Sequence, residues 1–271
     1  IARVYPSFES ALGDEHVDGY VLLVHADVAA SLAMRVAARG RPLLTEKPPG
    51  RSHAEALALA ERVIVPNVVG FNRRYMPLAC RFREIVAGID GAHFAEVHFH
   101  RHDRSTPRFV TETGIHAINF IEHVCGPIAD VATERLGAAA VGAPARICRL
   151  TFASGMPGLL KLFPRSGASV ERYEVHGTDR SACFTCPAPF TGERRGRIVV
   201  HERGEVALDI VGRDDDELAT TGMLDQYRDF LRVFDEPAHA TTSNFRNAAD
   251  TMRVAEAIEA VDDGRLGARG R

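Results

Sequence analysis

Lysine is nearly absent from this chain: of its 33 basic residues only Lys47 and Lys161 are lysine. A composition this biased places arginine wherever a plain solvated charge suffices, so a retained lysine needs a separate reason. Tryptophan is missing altogether. No two of the 23 glycines are separated by a single residue, which excludes the G-x-G-x-x-G turn that brings backbone amides to a dinucleotide pyrophosphate. No apolar run approaches the roughly 18 residues of a membrane span, and no signal-peptide pattern opens the sequence. Acidic and basic residues are mixed along the chain at a formal net charge of -3; with no basic stripe, nucleic acid is not an expected partner. The cysteines are Cys80, Cys125, Cys148, Cys183 and Cys186. An odd number in a chain this long suits a reducing cytoplasm better than a disulfide framework. The rest is ordinary globular composition, 45% hydrophobic and 25% charged over 271 residues, enough for one large domain or two modest ones.

Tyr20-Val21-Leu22-Leu23-Val24 is a continuous apolar run of the kind buried on both faces of a parallel sheet. Asp27 is placed to cap the next helix, in which Ala29, Leu32, Ala33 and Val36 fall at i, i+3, i+4 and i+7 before Gly40 stops it. Pro42-Leu43-Leu44-Thr45 is a second strand. Ser52 and Glu55 form a capping box opening a helix to about Val63, and Asn67-Val68-Val69-Gly70 is a further strand. Strand, helix, strand, helix, strand predicts a doubly wound parallel sheet over residues 1–71.

After Phe71 the texture changes. Pro77 sits at a first helical position, with Leu78, Phe82 and Ile85 lining one face up to Gly88. Residues 93–102 read as a strand, and residues 113–125 as a helix ended by Gly126-Pro127. Residues 146–211 are strand-rich, with turns at Ser154-Gly155, Ser166-Gly167 and Arg203-Gly204; helices near 222–234 and 244–261 close the chain. Residues 72–271 are therefore expected to form an α+β domain with an open, mostly antiparallel sheet.

Lys47, in Glu46-Lys47-Pro48, stands at the carboxyl end of the second strand, where α/β proteins place their chemistry. Arginine does not release its proton in a protein, whereas a lysine near charges or an apolar wall does. Lys47 is thus a candidate proton handler, set against an ordinary solvated loop lysine. The second constellation is Thr111-Glu112-Thr113-Gly114-Ile115-His116-Ala117-Ile118-Asn119. Glu112 precedes His116 by one helical turn, so its carboxylate can fix the imidazole tautomer and raise its basicity. Ala117, Phe120, Ile121 and Val124 make the apolar stripe of that helix; His116, Asn119 and His123 make a polar one. The plainer alternative is a helix-start histidine satisfied by a local carboxylate.

Glu46-Lys47-Pro48, Val69-Gly70-Phe71-Asn72-Arg73-Arg74-Tyr75-Met76-Pro77 and Gly114-Ile115-His116 together resemble the Gfo/Idh/MocA family of NAD(P)-dependent oxidoreductases. The similarity runs from about Val4 to about Val261 and includes the turn Gly177-Thr178-Asp179-Arg180-Ser181. It implies a partial Rossmann domain over residues 1–71 and a substrate-binding and oligomerisation domain over 72–271. The implied activity is hydride transfer between NAD or NADP and a secondary alcohol or ketone of a sugar, cyclitol or similar polyol. The implied partners are that small molecule and further copies of the chain, as a homodimer or homotetramer through the C-terminal sheet, in the cytoplasm. Lys47 matches the lysine that hydrogen-bonds the reacting oxygen, His116 the histidine that exchanges its proton, and Glu112 the group that orients the histidine. Glu46, Lys47 and Pro48, with Val24 and His25 after the first strand, match cofactor-contacting positions; the Lys47-Pro48 bond is expected to be cis. The departures are as informative. The glycine turn and the ribose-holding residue of the family have no counterpart here and are expected upstream of Ile1, with the whole first βαβ unit. Val24-His25 replaces a Thr-Pro pair, and Glu112 and Asn119 stand where aspartate is common. A non-catalytic relative that binds a sugar-like ligand, or only assembles through its sheet, is the rival reading.

Weaker signals complete the sequence. His98, His100 and His102 alternate along a strand and share one face, but without a carboxylate or cysteine at ligand spacing a polar or substrate-facing surface is expected rather than a metal site. His102 and Arg104, near the implied substrate pocket, and Asn72, Arg73 and Asn119 are candidate substrate contacts. Cys183-Phe184-Thr185-Cys186 is a lone C-x-x-C, read as paired buried thiols.

Overall fold

The computed structural model describes residues 3–137, 142–187, 194–213, 215–236 and 238–263. It divides into two compact units, one of residues 1–70 and 226–249, the other of residues 71–225 and 250–271.

The first unit contains α1 (Phe8–Leu12), β1 (Tyr20–Leu22), α2 (Ala26–Ala37), β2 (Leu43–Thr45), α3 (His53–Arg62) and β3 (Asn67–Val69). The strands pair in parallel in the order β1-β2-β3. β2 is central, and Leu43, Leu44 and Thr45 are fully buried. Residues 241–245 close the outer edge of β3: Thr241 Oγ1 donates to Asn67 O (2.7 Å), Ser243 Oγ donates to Val69 O (2.8 Å), and Val69 N–H donates to Ser243 O (3.2 Å). The opposite edge strand, β1, leaves Val21 and the adjoining Leu23 exposed. α1 and α3 start after serine caps, Ser7 and Ser52. Ser52 accepts the Glu55 N–H as predicted, but the Glu55 carboxylate accepts from Arg51 N–H, so only half of the capping box forms. At α2 the cap is His25, whose Nδ1 accepts from Asp27 N–H; the expected cap, Asp27, is already inside the helix.

The second unit opens with a 3-10 turn (Asn72–Tyr75) and α4 (Pro77–Ala87), then β4 (Phe94–His100). A π-helical turn (Val110–Gly114) runs directly into α5 (Ile115–Cys125). β5 (Ile128–Leu136), β6 (Ala145–Phe152), β7 (Pro157–Phe163), β8 (Val170–His176), β9 (Arg180–Thr185), β10 (Arg197–Glu202), β11 (Glu205–Val211) and α6 (Glu217–Thr220) follow. α7 (Met223–Asp235) and α8 (Phe245–Glu259) each run from one unit into the other. The sheet order is β11-β10-β9-β8-β4-β7-β6-β5, antiparallel except for β4 against β7, which agrees with the expected open sheet.

Alternation sorts the sheet into two faces. Val97, Phe99, Leu160, Leu162, Tyr173, Val175, Phe184, Ile198 and Val200 are buried on one. Phe82 of α4 and Phe120 of α5 pack there, with ring centroids 5.4 and 5.9 Å from Phe184. The other face carries ion pairs: Lys161 to Glu96 at 2.5 Å and Arg172 to Glu174 at 2.8 Å. One of the two lysines is thus bound to a carboxylate in the sheet. β5 escapes the sequence pattern because it lies at the sheet edge with most of its side chains exposed and shows no clean alternation. Arg203 and Gly204 both adopt positive φ, 52° and 87°, and form the tight turn between β10 and β11. Gly222, at φ 77°, is held to glycine for a second reason: a Cβ there would lie 2.6 Å from Met76 N.

Candidate active site

In the first unit the carboxyl ends of all three strands meet at Glu46. Its N–H donates to Leu22 O at the end of β1 (3.1 Å), and Gly70 N–H beyond β3 donates to Thr45 O (2.8 Å). The Glu46 carboxylate folds back to accept the Lys47 N–H (3.3 Å) and lies over Gly70, where a Cβ would stand 3.1 Å from Glu46 Oε2. Gly70 therefore permits a close approach that any side chain would crowd. The Lys47–Pro48 peptide is cis, as the resemblance implies. Pro48, Pro49 and Gly50 are buried beneath the turn, and Lys47 is half-buried at its crest. Val24 and His25 follow β1; His25 is exposed and its ring is held at the α2 start beside Asp27 Oδ2 (3.2 Å).

In the second unit His116 stands in the first turn of α5 and is 8% exposed, its ring edge-on to Phe71 with centroids 6.2 Å apart. Glu112 lies in the π-helical turn and is half-buried. At the end of that turn a Cβ on Gly114 would come 3.2 Å from Leu162 of β7, so the segment is pressed against the sheet.

The other candidates are engaged within the protein. Asn72 Nδ2 donates to Thr221 O (2.8 Å), and its Oδ1 accepts from Arg73 Nη1 (2.9 Å). Arg73 grips Glu171 through Nε and Nη2 (3.1 and 3.2 Å). Asn119 is fully buried. Its Oδ1 accepts from Arg74 Nε (2.7 Å), and its Nδ2 donates to Thr251 Oγ1 (3.0 Å), which ties α5 to α8. Thr251 in turn donates to Glu122 Oε2 (2.7 Å). Burial pushes the Glu122 carboxyl up to about 7, while burial and the Arg74 charge push the His123 imidazole down to about 3. The polar stripe of α5 is therefore an internal network behind His116. His102 and Arg104 lie exposed beyond the end of β4, the His102 ring 3.2 Å from Ser166 O.

The alternating histidines also differ from expectation. His102 falls outside the strand, and a carboxylate does adjoin the others: His98 Nε2 is 2.9 Å from Glu96 Oε1. His100 stacks on Phe163 at 4.5 Å, and burial foremost pushes its pKa down to about 4. Among the described residues no group of three histidine, cysteine or carboxylate side chains is placed to hold a metal ion. Cys186 is buried and Cys183 only half-buried, and both are free thiols.

Two carboxylates escaped sequence reasoning. Glu171 is wholly buried in β8, where it accepts from Arg73, from Arg101 Nη2 (2.6 Å) and from Tyr173 Oη (2.9 Å). Its one signal was a charge at an apolar position of an alternating strand. Glu259, the last residue of α8, reaches the π-helical turn, and nothing local in the sequence announces it.

No protein-family model and no curated protein matches this sequence. Solved structures do share its fold. UDP-N-acetylglucosamine 3-dehydrogenase GnnA from Acidithiobacillus ferrooxidans superposes with a TM-score of 0.75 at 18% identity, covering 95% of this chain and 82% of that one. GenD2 from gentamicin A biosynthesis, in complex with NAD, gives 0.76 at 22% identity, over 97% and 82% of the two chains. Levoglucosan dehydrogenase in complex with NADH and levoglucosan gives 0.79 at 17% identity, over 96% and 82%. The chain has the fold of these proteins, a small parallel sheet followed by an eight-stranded, mostly antiparallel one, as its resemblance to the Gfo/Idh/MocA dehydrogenases implied.

Proposed function

We propose that this protein is an NAD(P)-dependent oxidoreductase acting on a secondary alcohol or ketone of a sugar, cyclitol or similar polyol. The observation that carries the reading is Lys47 itself. In a chain that uses arginine almost throughout, one of the two lysines is kept at the turn where three parallel strands end. The neighbouring structures support it: one holds NAD, and another holds NADH and levoglucosan.

The residues present fit one end of a nicotinamide nucleotide. The Glu46 carboxylate, with Gly70 leaving room beside it, suits amide or ribose hydroxyl donors and repels phosphate. A pyrophosphate-binding glycine turn is not found in these 271 residues. When bound, nicotinamide supplies the hydride acceptor or donor. Lys47 donates a hydrogen bond to the reacting oxygen and stabilises the charge that develops there. His116 takes the hydroxyl proton in oxidation and returns it in reduction. Glu112 orients His116. Cys80, Cys125, Cys148, Cys183 and Cys186 are all free, which suits the reducing cytoplasm proposed as its location; no helix among the described residues is long and apolar enough to cross a membrane.

The test is nicotinamide absorbance with a panel of aldoses, cyclitols and linear polyols, alongside calorimetric titration with both oxidised and both reduced nucleotides. Turnover of one substrate class with NAD or NADP is the expected result. The rival is a non-catalytic ligand-binding or assembly module. Absence of both turnover and nucleotide binding would put it first.

A homodimer or homotetramer through the polar face of the eight-stranded sheet belongs to the same proposal. Charges of both signs alternate there, so the surface can complement itself across a two-fold axis. Sedimentation equilibrium at micromolar concentration is expected to give a multiple of the chain mass, and a stable monomer would count against it.

A further inference from the structure

We propose that Glu259 is the positioning residue that fixes the turn carrying Glu112 and leading to His116, an inference that rests on the oxidoreductase reading. The helical segment that opens at Val110 has no cap from its own flank: Phe109 stands at the cap position, buried and without a polar side chain. A helix start leaves its first amides without intrahelical partners, and buried amides must find them elsewhere. Here one carboxylate from the end of α8 receives them. Glu259 Oε1 accepts from Val110 N–H (3.0 Å), and Oε2 accepts from Thr111 N–H (3.3 Å) and Thr111 Oγ1–H (2.7 Å). A negative charge at that place also complements the helix dipole. Burial pushes the Glu259 carboxyl up, while the bonds from Thr111 and Val110 and the charge of Arg146 pull it back.

The turn held in this way is π-helical, a wide turn with one residue more than an α turn and a form concentrated at functional sites. If it relaxed to α geometry, the residues on its amino side would shift by one position, about 100° around the axis, relative to His116. Two contacts oppose that slip. Glu259 holds the start, and the close approach of Gly114 to Leu162 fixes the end. Glu112 lies between these points and His116 two residues beyond. On this account Glu259 controls whether the Glu112 carboxylate meets the imidazole, without itself touching substrate.

The test uses Glu259→Gln, which keeps the size of the side chain but one acceptor instead of two, and Glu259→Asp, which keeps both on a shorter stem. Glu259→Gln is expected to lower kcat about ten- to a hundredfold with KM within about twofold, the mark of lost positioning rather than lost binding. By NMR titration the His116 imidazole pKa should fall by about half a unit or more, towards that of Glu112→Gln. Glu259→Asp should recover part of both effects. Thr111→Val, which removes only the hydroxyl donor, should give the same signs at smaller size and serves if Glu259→Gln does not fold. Wild-type kcat and His116 titration in Glu259→Gln, with faster hydrogen exchange at Val110 and Thr111, would reduce the contact to a structural tie and overturn the proposal. His116→Asn, run in the same assay, separates the two failures. If it stays active the acid/base role of His116 falls, and if the wild type itself shows no turnover the oxidoreductase reading falls, while the imidazole titration still decides for or against Glu259.

Discussion

Lys47→Met is expected to lower kcat by about three orders of magnitude, while the dissociation constant for the nicotinamide nucleotide stays within about twofold. Methionine matches lysine in length and in the apolar stem, so the half-buried turn above Pro48 and Pro49 keeps its packing. What goes is the ammonium that meets the reacting oxygen, an interaction stronger in the transition state than before it. Lys47→Arg is the sharper variant. It keeps a cation, and arginine is what this chain uses for its other basic residues apart from Lys161. A guanidinium holds its proton and is broader than an ammonium, so Lys47→Arg should be nearly as impaired as Lys47→Met. His116→Asn should cost a comparable factor and flatten the pH dependence of kcat near neutrality. Steady-state kinetics with calorimetric nucleotide binding checks all three. A Lys47→Met enzyme at near wild-type turnover would move the chemistry elsewhere, whereas a Lys47→Arg enzyme at that level would show that any cationic donor serves at position 47.

The lysine was legible because the surrounding composition is so skewed, and the elements that present it were legible because apolar runs and polar caps are local. Tyr20–Leu22, Leu43–Thr45 and Asn67–Val69 all fall where the short runs of Val and Leu lie. Two kinds of feature stayed hidden. One is the return of the chain: Phe230 packs with Leu44 and Val68, and Ser243 completes the edge of β3, across about 170 residues of sequence. No periodicity encodes which sheet a late helix will cover. The other is polar pairing over distance. Asn119 reads in the sequence as a member of a polar helix stripe, and its partners, Arg74 and Thr251, lie far from it in the chain. A buried polar group is recognised only once its partners are in place, since burial without them is too costly to occur. Glu171 and Glu259 were missed for the same reason.

Glu171→Gln is expected to destabilise the folded protein by about 3 to 5 kcal/mol, the usual cost of removing one member of a buried charge cluster. For a chain of this size that lowers Tm by roughly 10 °C. Burial pushes the Glu171 carboxyl up, but the charges and hydrogen bonds of Arg73 and Arg101 outweigh it and hold it down at about 2. Neutralising it leaves two guanidinium groups, both nearly buried, facing an amide that offers one acceptor in place of two oxygens serving four bonds. The sign of the pH dependence follows from the depressed value. A carboxyl ordinarily near 4.5 and held at about 2 in the fold contributes its full stability above pH 4.5, and that contribution is lost as pH falls through about 2. The Tm difference between wild type and Glu171→Gln should therefore be constant above about pH 5 and shrink as pH falls towards 2, because the wild type then protonates the group that the variant has already neutralised. Other carboxylates titrate in that range too, but they do so in both proteins and cancel in the difference. Thermal unfolding followed by circular dichroism over that range decides the matter. A gap near zero at neutral pH would show that the arginines are satisfied without the carboxylate, through the His100 and Val170 carbonyls for Arg101 and through Asn72 for Arg73. A gap that stayed full at pH 2 would mean that Glu171 acts by shape and not by charge.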